Sequence, residues 1–312
     1  MKAVVVEAFG PADQLAVVER PDPEPRHGQV VIAVEAAGVG LVDILQRRGE
    51  FGFSEPGFIP GVEVAGRVQK VGEGVDRGLI GQRVFAQGSG GYAEQFVADA
   101  AGLVALPDPL SARNAVALGV NALVAHFSLR RAQVRPGEHV LVRGASGGIG
   151  LLAVKMALQL GATVTAVTRS TAADRLAELG IQNIVRRDRE TEPAGPFDAV
   201  IDPVGGAAVP ALLGRLAPNG RYVLNGGAAG FPPPEFGMAL VQTFFNSLTF
   251  STFSLNSVPA GEAGAAARAI FADAVRGALV PVVGPVFRLT EAAKAHLALE
   301  GGDAFGKIVL EP

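Results

Sequence analysis

The 312-residue sequence contains no cysteine, which removes several kinds of chemistry at once. A chain without thiols has no disulfides, no thiolate nucleophile and no cysteine-bound metal. None of its four histidines, His27, His126, His139 and His296, has a second histidine at the spacing of metal ligands. The supply of ligands therefore disfavours a zinc-dependent alcohol dehydrogenase, and we expect no bound metal.

Charged clusters and long apolar runs are also missing. Charged residues make up 18% of the chain, the net charge is −3, and the sequence lacks the like-charge runs that bind nucleic acid. No apolar run reaches the roughly 18 residues of a membrane helix, and the apolar N-terminus is too short for a signal peptide. These absences favour a cytoplasmic protein. The length suggests about two domains, and 49% apolar residues suffice for folded cores.

Two patterns of secondary structure divide the chain. Short apolar runs separated by Gly and Pro fall at 2–7, 15–20, 29–37, 61–71, 83–86 and 92–97, and predict an antiparallel, partly barrel-like β domain. From about residue 115, short strands alternate with helices, which predicts a doubly wound parallel sheet. The end of the chain returns to β structure. We therefore expect a β-rich domain, residues 1–115 and 260–312, interrupted by an α/β domain, residues 116–259.

A glycine-rich segment follows the first strand of the α/β region. It reads Gly144-Ala145-Ser146-Gly147-Gly148-Ile149-Gly150, between a strand at 139–142 and a helix at 148–160. Glycines permit a tight turn and close approach of the backbone to a pyrophosphate, and the helix start offers free N–H groups. The G-x-x-G-x-x-G spacing alone also suits a structural turn. The strand–turn–helix setting favours a dinucleotide site.

The ribose-reading position lies about 20 residues after such glycines, at the end of the second strand. Here the strand 163–168 ends in Thr168-Arg169-Ser170, with Arg175 one turn later, and no Asp or Glu in this segment faces the ribose. Guanidinium and hydroxyl groups suit a 2′-phosphate. The segment therefore favours NADPH over NADH, unless both arginines are ordinary solvated surface charges.

No Ser-x-x-x-Lys or Tyr-x-x-x-Lys pair follows the glycine segment on a helix. With no metal and no evident acid–base pair, the chemistry must come mainly from the cofactor. Hydride transfer then needs positioning of the two reactants and a polar group or water to complete protonation. This arrangement suits quinones and activated alkenes, because their reduced products are resonance-stabilised anions.

Several further segments carry a family resemblance over essentially the whole chain. They are Ala-Ala-Gly-Val at 36–39 with Asp43, Pro-Gly-Val-Glu-Val-Ala-Gly at 60–66, Gly-Gly-Tyr-Ala-Glu at 90–94, Pro-Gly-Glu at 136–138, Phe-Asp-Ala-Val-Ile-Asp at 197–202, Gly205-Gly206 and Gly-Lys-Ile-Val-Leu at 306–310. With the glycine segment, they resemble the zinc-independent medium-chain dehydrogenase/reductases of the quinone oxidoreductase (zeta-crystallin-like) branch. The resemblance implies a GroES-like catalytic domain, a Rossmann domain, NADPH in a cleft between them, and a homodimer formed by the strand at 248–253.

Family position extends the list of cofactor-binding candidates to later strands and to the returning tail. The expected residues are Asn121, Gly144, Ser146, Gly147, Gly148, Ile149, Gly150, Thr168, Arg169, Ser170, Arg175, Val204, Gly205, Asn225, Gly226, Phe253, Ser254 and Lys307. Val204 and Gly205 are implied beside the adenine-ribose side. Asn225, Gly226, Phe253 and Ser254 are implied near the nicotinamide.

The substrate pocket departs from the family pattern. Relatives with zinc have His where this chain has Val62, and quinone reductases often have polar residues at the positions of Gly40, Leu45, Phe51 and Val124. The pocket candidates are Gly40, Leu45, Phe51 and Tyr92. The apolar character of the first three favours a hydrophobic alkene as substrate. Asp43 and Glu63 are expected to be structural, and Tyr92 is expected to pack in the β domain unless it donates a proton.

The sequence thus predicts an NADPH-dependent reductase that transfers hydride to a quinone or an α,β-unsaturated carbonyl, with a small apolar acceptor as its partner. An alternative from another class is an NADPH-binding sensor or structural protein with little turnover, which the lost polar residues at Gly40, Leu45 and Val124 motivate.

Overall fold

The computed structural model describes residues 1–50, 55–189, 193–302 and 304–312. The strands are β1 (Lys2–Val6), β2 (Leu15–Glu19), β3 (Gln29–Val39), β4 (Glu63–Val71), β5 (Arg83–Gln87), β6 (Gln95–Asp99), β7 (Val104–Ala105), β8 (His139–Val142), β9 (Thr163–Thr168), β10 (Asn183–Arg186), β11 (Phe197–Asp202), β12 (Leu216–Leu224), β13 (Thr249–Thr252), β14 (Val283–Arg288) and β15 (Lys307–Glu311). The helices are α1 (Leu41–Arg47), α2 (Ala112–Arg131), α3 (Gly148–Gln159), α4 (Ser170–Glu178), α5 (Val209–Leu213), α6 (Met238–Gln242), α7 (Ala260–Val275) and α8 (Ala292–Gly301).

The chain divides into two compact units. Met1–Val120 and Pro259–Pro312 form the first, and Asn121–Val258 forms the second. The predicted boundaries, after residues 115 and 259, lie within a few residues of this division. The catalytic and cofactor-binding roles assigned to the two domains stay predictions.

The first unit is built on a mainly antiparallel sheet in the order β14-β15-β3-β4-β5-β7, with β6 also paired to β3. The long strand β3 is the centre of this sheet, because different parts of its length pair with β4, β6 and β15. Buried side chains such as Val30, Ile32 and Phe96 form its core. This unit has the β-rich, GroES-like architecture that the sequence predicts.

The second unit contains a parallel six-stranded sheet in the order β10-β9-β8-β11-β12-β13. Its central strands are continuous apolar runs, and Val140, Leu141 and Val142 have no exposed area, as expected for strands covered on both faces. The chain moves outward from β8 to β10 and then restarts on the other side of β8 with β11. The carboxyl ends of β8 and β11 therefore flank a topological switch point, where open α/β sheets bind ligands. This confirms the doubly wound Rossmann-type prediction.

Some element boundaries differ from those predicted. The helix expected at 209–216 ends at Leu213, and Leu216 already begins β12, where it pairs with Phe197 of β11. The strand expected at 92–97 begins only at Gln95, although Ala93 makes an isolated bridge to Ala3. None of the described helices is long and apolar enough to cross a membrane.

Helix α2 is kinked at Gly119, whose backbone angles (φ 12°, ψ −122°) are not helical. The carboxylate of Glu63 lies in the kink and accepts the N–H of Val120 at 2.8 Å. A Cβ at Gly119 would lie 2.2 Å from Glu63 Oε2, so this position requires glycine. Glu63 thus satisfies a helix donor that the kink has freed.

Candidate functional site

The glycine loop connects β8 to α3 in the second unit. Gly144 has a positive φ of 58°, and a Cβ at Gly150 would lie 2.2 Å from the Gly144 carbonyl oxygen. The turn therefore closes on itself so tightly that neither position accepts a side chain easily. The first N–H groups of α3, from Gly148 onward, have no acceptor within the helix. Backbone donors at a helix start favour a phosphate.

Asn121 lies against this loop. A Cβ at Gly148 would lie 2.1 Å from Asn121 Nδ2, and the Asn121 side chain is buried. The amide therefore contacts the first residue of α3. Its role in binding a cofactor stays a prediction.

A buried polar network holds the loop that follows β11, on the other side of the switch point. Asp202, at the end of β11, accepts Val204 N at 2.7 Å, Gly205 N at 3.0 Å and Arg143 at 2.7 Å. The Tyr222 hydroxyl also donates to it, and burial raises the pKa of this tyrosine. Four donors satisfy the buried carboxylate, so the network holds this loop rigidly.

Arg143 completes this network and was missed by the sequence reasoning. The same guanidinium nitrogen that pairs with Asp202 also donates to the Gly205 carbonyl at 2.7 Å. Val204, in turn, packs beside the glycine loop, because a Cβ at Gly144 would lie 3.0 Å from Val204 Cγ2. The only signal in the sequence was a charged residue between an apolar strand and the first glycine.

The ribose-reading end lies at the carboxyl ends of β9 and β10. Thr168 is buried, and its Oγ1 has no hydrogen-bond partner among the described residues. Arg169 precedes α4 as its N-cap residue, and Ser170 is the first residue of that helix. Arg175 lies on the same helix and is exposed. A buried hydroxyl without a hydrogen-bond partner is energetically unfavourable unless a ligand or a water molecule supplies the missing hydrogen bond.

The structure brings an acidic residue to this end from a segment other than the one that follows β9. Asp188, which follows β10, accepts both the N–H and the O–H of Ser170, at 2.8 and 2.9 Å. The two parallel strands end at the same edge of the sheet, so β10 brings an acid that lies 18 residues away in the chain.

The other end of the switch point contains Asn225 and Phe253. Asn225 Nδ2 donates to Ser128 Oγ at 2.8 Å, and its buried Oδ1 has no partner within the described part of the chain. Gly226 packs closely on Pro203, whose carbonyl oxygen would lie 2.5 Å from an added Cβ. Phe253 stacks on Phe127 with ring centroids 6.2 Å apart, and Ser254 accepts the N–H of Asn256.

Together these residues form a cradle that suits a dinucleotide. The carboxyl ends of β8, β9, β11 and β12 supply a tight glycine-rich loop, several exposed donors, and two buried oxygens that lack a partner among the described residues. A pyrophosphate and polar nucleoside groups are the ligands that such donors and acceptors match. The residues present therefore fit a nicotinamide dinucleotide.

A second polar cluster lies inside the first unit. Asp43 is fully buried on α1 and accepts Gly40 N at 2.8 Å, Gly61 N at 3.1 Å and the Tyr92 hydroxyl at 3.2 Å. Burial raises the pKa of Asp43 to about 6, although the Gly40 N–H and the positive charge of Lys307 oppose this rise. The structural role expected of Asp43 stays a prediction.

The chain of hydrogen bonds continues from Tyr92 to His296 on α8 and then to Arg47. Tyr92 Oη lies 3.1 Å from His296 Nε2, and Arg47 lies 3.3 Å from His296 Nδ1. Arg47 also pairs with Glu300 at 2.5 Å. Tyr92 has no exposed area. Tyr92 is therefore enclosed inside this unit, and its place among the pocket candidates stays a prediction.

Lys307 and Glu63 form a buried ion pair at 2.5 Å in the same unit. Gly38 makes room for them, because an added Cβ would lie 2.6 Å from both side chains. Gly40 is near this pair, since a Cβ there would lie 4.0 Å from Lys307 Nζ. Leu45 is half-buried on α1, and Phe51 lies outside the described residues.

Within the described ranges, no group of three or more His, Asp or Glu side chains could hold a metal ion.

Comparison with known proteins places the chain among dehydrogenases. Residues 26–108 match the family described as alcohol dehydrogenase GroES-like domain, and residues 160–310 match the family described as zinc-binding dehydrogenase. The chain is 32% identical to the quinone oxidoreductase of Sus scrofa, over 92% of this chain and 90% of that protein. It is also 29% identical, over 98% of its own length, to a phenolphthiocerol/phthiocerol polyketide synthase of Mycobacterium tuberculosis, of which it spans 14%.

Solved structures give the same grouping. The quinone oxidoreductase of Thermus thermophilus, also solved with NADPH, is 35% identical with a TM-score of 0.84, and all of both chains is covered. The Escherichia coli quinone oxidoreductase complexed with NADPH is 25% identical with a TM-score of 0.94, again over both whole chains. The enoyl reductase CurK is 25% identical with a TM-score of 0.87, over 99% of this chain and 98% of that one.

Proposed function

The chain belongs to the quinone oxidoreductase family of the medium-chain dehydrogenase/reductases, and from this we propose that it is an NADPH-dependent reductase of quinones or α,β-unsaturated carbonyls. The observation that carries the proposal is the tight glycine-rich loop at the switch point of a parallel sheet. Bound NADPH would supply the hydride from its nicotinamide ring.

In this proposal, the pyrophosphate lies on the N–H groups at the start of α3, from Gly148 to Gly150, with Asn121 beside it. Thr168, Arg169, Ser170 and Arg175 receive the adenosine ribose and its 2′-phosphate. The Thr168 hydroxyl, which lacks a partner among the described residues, supports this assignment, because a ribose hydroxyl would complete its hydrogen bonding.

The loop of Val204 and Gly205 lies along the adenine-ribose side, and Asn225, Gly226, Phe253 and Ser254 receive the nicotinamide half. Asn225 holds its amide by donating to Ser128, which leaves its buried oxygen to accept a donor from the cofactor. The carboxamide of a nicotinamide carries such a donor. Lys307 is included as a residue of the returning tail, where its pairing with Glu63 keeps the buried ammonium in place.

The acceptor class is proposed from the residues near Gly40 and Leu45. Both residues are less polar than those at the same positions in many quinone reductases. This favours a hydrophobic alkene conjugated to a carbonyl as the acceptor. The similarity to proteins named quinone oxidoreductase and enoyl reductase supports both classes. We assign the second proton to water, because the Tyr92 hydroxyl is buried and donates to Asp43.

We further propose a cytoplasmic homodimer in which β13 pairs with its copy. β13 lies at one end of the six-stranded sheet, so its outer edge offers backbone groups for pairing. The exposed aromatic rings of Phe244 and Phe245 lie just before this strand, and an apolar surface there suits a partner. Size-exclusion chromatography with light scattering tests this, and a monomer would contradict it.

The function is tested by following NADPH oxidation with a benzoquinone, a naphthoquinone, a medium-chain 2-alkenal and an enoyl thioester, each repeated with NADH. Turnover of one acceptor class supports the proposal and selects the substrate. Tight NADPH binding without turnover of any acceptor would refute the reductase and favour an NADPH-binding sensor or structural protein.

A further inference from the structure

The ribose-reading end of the dinucleotide site already contains an internal anion. Asp188 Oδ1 accepts the backbone N–H of Ser170 at 2.8 Å and the Ser170 hydroxyl at 2.9 Å. These two hydrogen bonds hold the pKa of Asp188 below its usual value. The carboxylate is therefore charged at neutral pH, and it lies at the first residue of α4.

The backbone places Asp188 at this position. Arg187 N–H donates to the Thr168 carbonyl at 2.8 Å, which extends the pairing of β10 with β9 by one residue. Arg189 N–H then donates back to the Arg186 carbonyl at 2.9 Å and closes a turn. Asp188 lies between these two bonds, so its side chain is directed at Ser170 by main-chain geometry.

The donors that Asp188 occupies are those that a 2′-phosphate needs. A phosphate at the start of a helix is stabilised by the first N–H groups and by nearby hydroxyls. At Ser170, a carboxylate accepts both donors, and its charge repels a phosphate. A ribose 2′-hydroxyl, in contrast, can donate to a carboxylate, as it does in dinucleotide sites that select NADH.

We propose that Asp188 is a specificity-determining residue that weakens the preference of this site for NADPH over NADH. The inference rests on the proposed function. Arg169 and Arg175 attract the 2′-phosphate, and Asp188 opposes it from the neighbouring strand. The site thus combines the recognition elements of both cofactors, and the chain uses NADH to an extent that its arginines alone would not allow.

The test is the variant Asp188→Asn, with dissociation constants for NADPH and NADH measured by isothermal titration calorimetry. Asparagine keeps the size of the side chain and removes its charge. We expect the ratio Kd(NADH)/Kd(NADPH) to rise about threefold to fivefold, the effect of one charge at an exposed position. Titration with 2′,5′-ADP and 5′-AMP isolates the phosphate effect from the nicotinamide half.

Asp174→Asn is the matched control. Asp174 lies on α4, is exposed, and is 3.7 Å from Arg186, so the variant makes the same charge change on the helix that begins at Ser170 without touching Ser170. We expect its ratio to stay within about twofold of the wild type.

An unchanged ratio in Asp188→Asn, or an equal rise in Asp174→Asn, would overturn the assignment to Asp188 and leave the reductase proposal intact. Failure of the wild type to bind either dinucleotide would overturn both proposals. Because Asp188 is exposed, the variant should fold, and its thermal midpoint checks this.

Discussion

Replacing His296 with glutamine tests the direction of the buried hydrogen-bond chain from Arg47 to Asp43. A guanidinium can only donate, so His296 Nδ1 must accept from Arg47. His296 Nε2 then carries the hydrogen and donates to Tyr92, whose hydroxyl donates to Asp43. Protonation of Nδ1 would set two donors against each other in a buried site.

The size of the effect follows from the pKa of His296. Burial, with a smaller contribution from Arg47, lowers it from 6.5 to about 3. Since the folded value lies below the unfolded one, the unfolded chain binds the proton first. The contribution of neutral His296 to the free energy of unfolding is complete above pH 6.5 and is lost as the pH falls toward about 3. At about 1.4 kcal/mol for each pH unit, the loss between pH 6.5 and about 5 is about 2 kcal/mol.

The assay is urea unfolding of wild type and His296→Gln at neutral pH and at about pH 5. Glutamine does not titrate, so the stability advantage of the wild type over the variant should shrink by about 2 kcal/mol at the lower pH. Asp43 titrates in both proteins, so its contribution to the pH dependence of stability largely cancels in the comparison. The exposed His27 provides the control His27→Gln. A difference between wild type and His296→Gln that does not change with pH would refute the proposed tautomer and its cause.

Three further outcomes are expected. Gly150→Ala should abolish dinucleotide binding, because its Cβ would lie 2.2 Å from a backbone oxygen. In Gly147→Ala the nearest atom to the added Cβ lies at 3.4 Å, so this variant should retain a folded loop. Equal calorimetric affinities of the two variants for the dinucleotide would contradict this. Lys307→Met should destabilise the fold by about 3–5 kcal/mol in urea, because it leaves the buried Glu63 charge unpaired; a loss below about 1 kcal/mol would count against the pair. NADPH at about 100 times its Kd should stabilise the protein by about 2.7 kcal/mol, seen as a higher thermal midpoint, and an unchanged midpoint would argue against binding.

The parts of the fold that could be predicted depend on local patterns. The run His139 to Val142, the glycine loop and the helix after it are contiguous, so periodicity and turn residues indicate each one. The alternation of strands and helices then limits the sheet to a parallel arrangement. The start of β12 was missed because residues 216–220 read Leu-Ala-Pro-Asn-Gly, which is typical of a turn, while pairing of Leu216 with Phe197 extends the strand.

The side-chain networks could not be predicted in the same way. Tyr92 and His296 are 204 residues apart, and Arg47 and His296 are 249 residues apart. Each residue alone has a polar group that must be satisfied when buried, but the sequence does not say which partner will satisfy it. The structure supplies the partners, and with them the hydrogen-bond directions that make the pH dependence calculable.

The ribose-reading site shows why cofactor preference is harder to predict than the cofactor class. The class follows from the backbone of one loop, whose glycines all lie within the short segment from Gly144 to Gly150. The preference depends on the balance of charge around a single phosphate, and parallel strands bring that charge from separate segments, here after β9 and after β10. According to our proposal, Asp188 changes the balance of charge around this phosphate. The residues at the carboxyl ends of both strands must therefore be considered before a missing acid after β9 can be taken as evidence for NADPH.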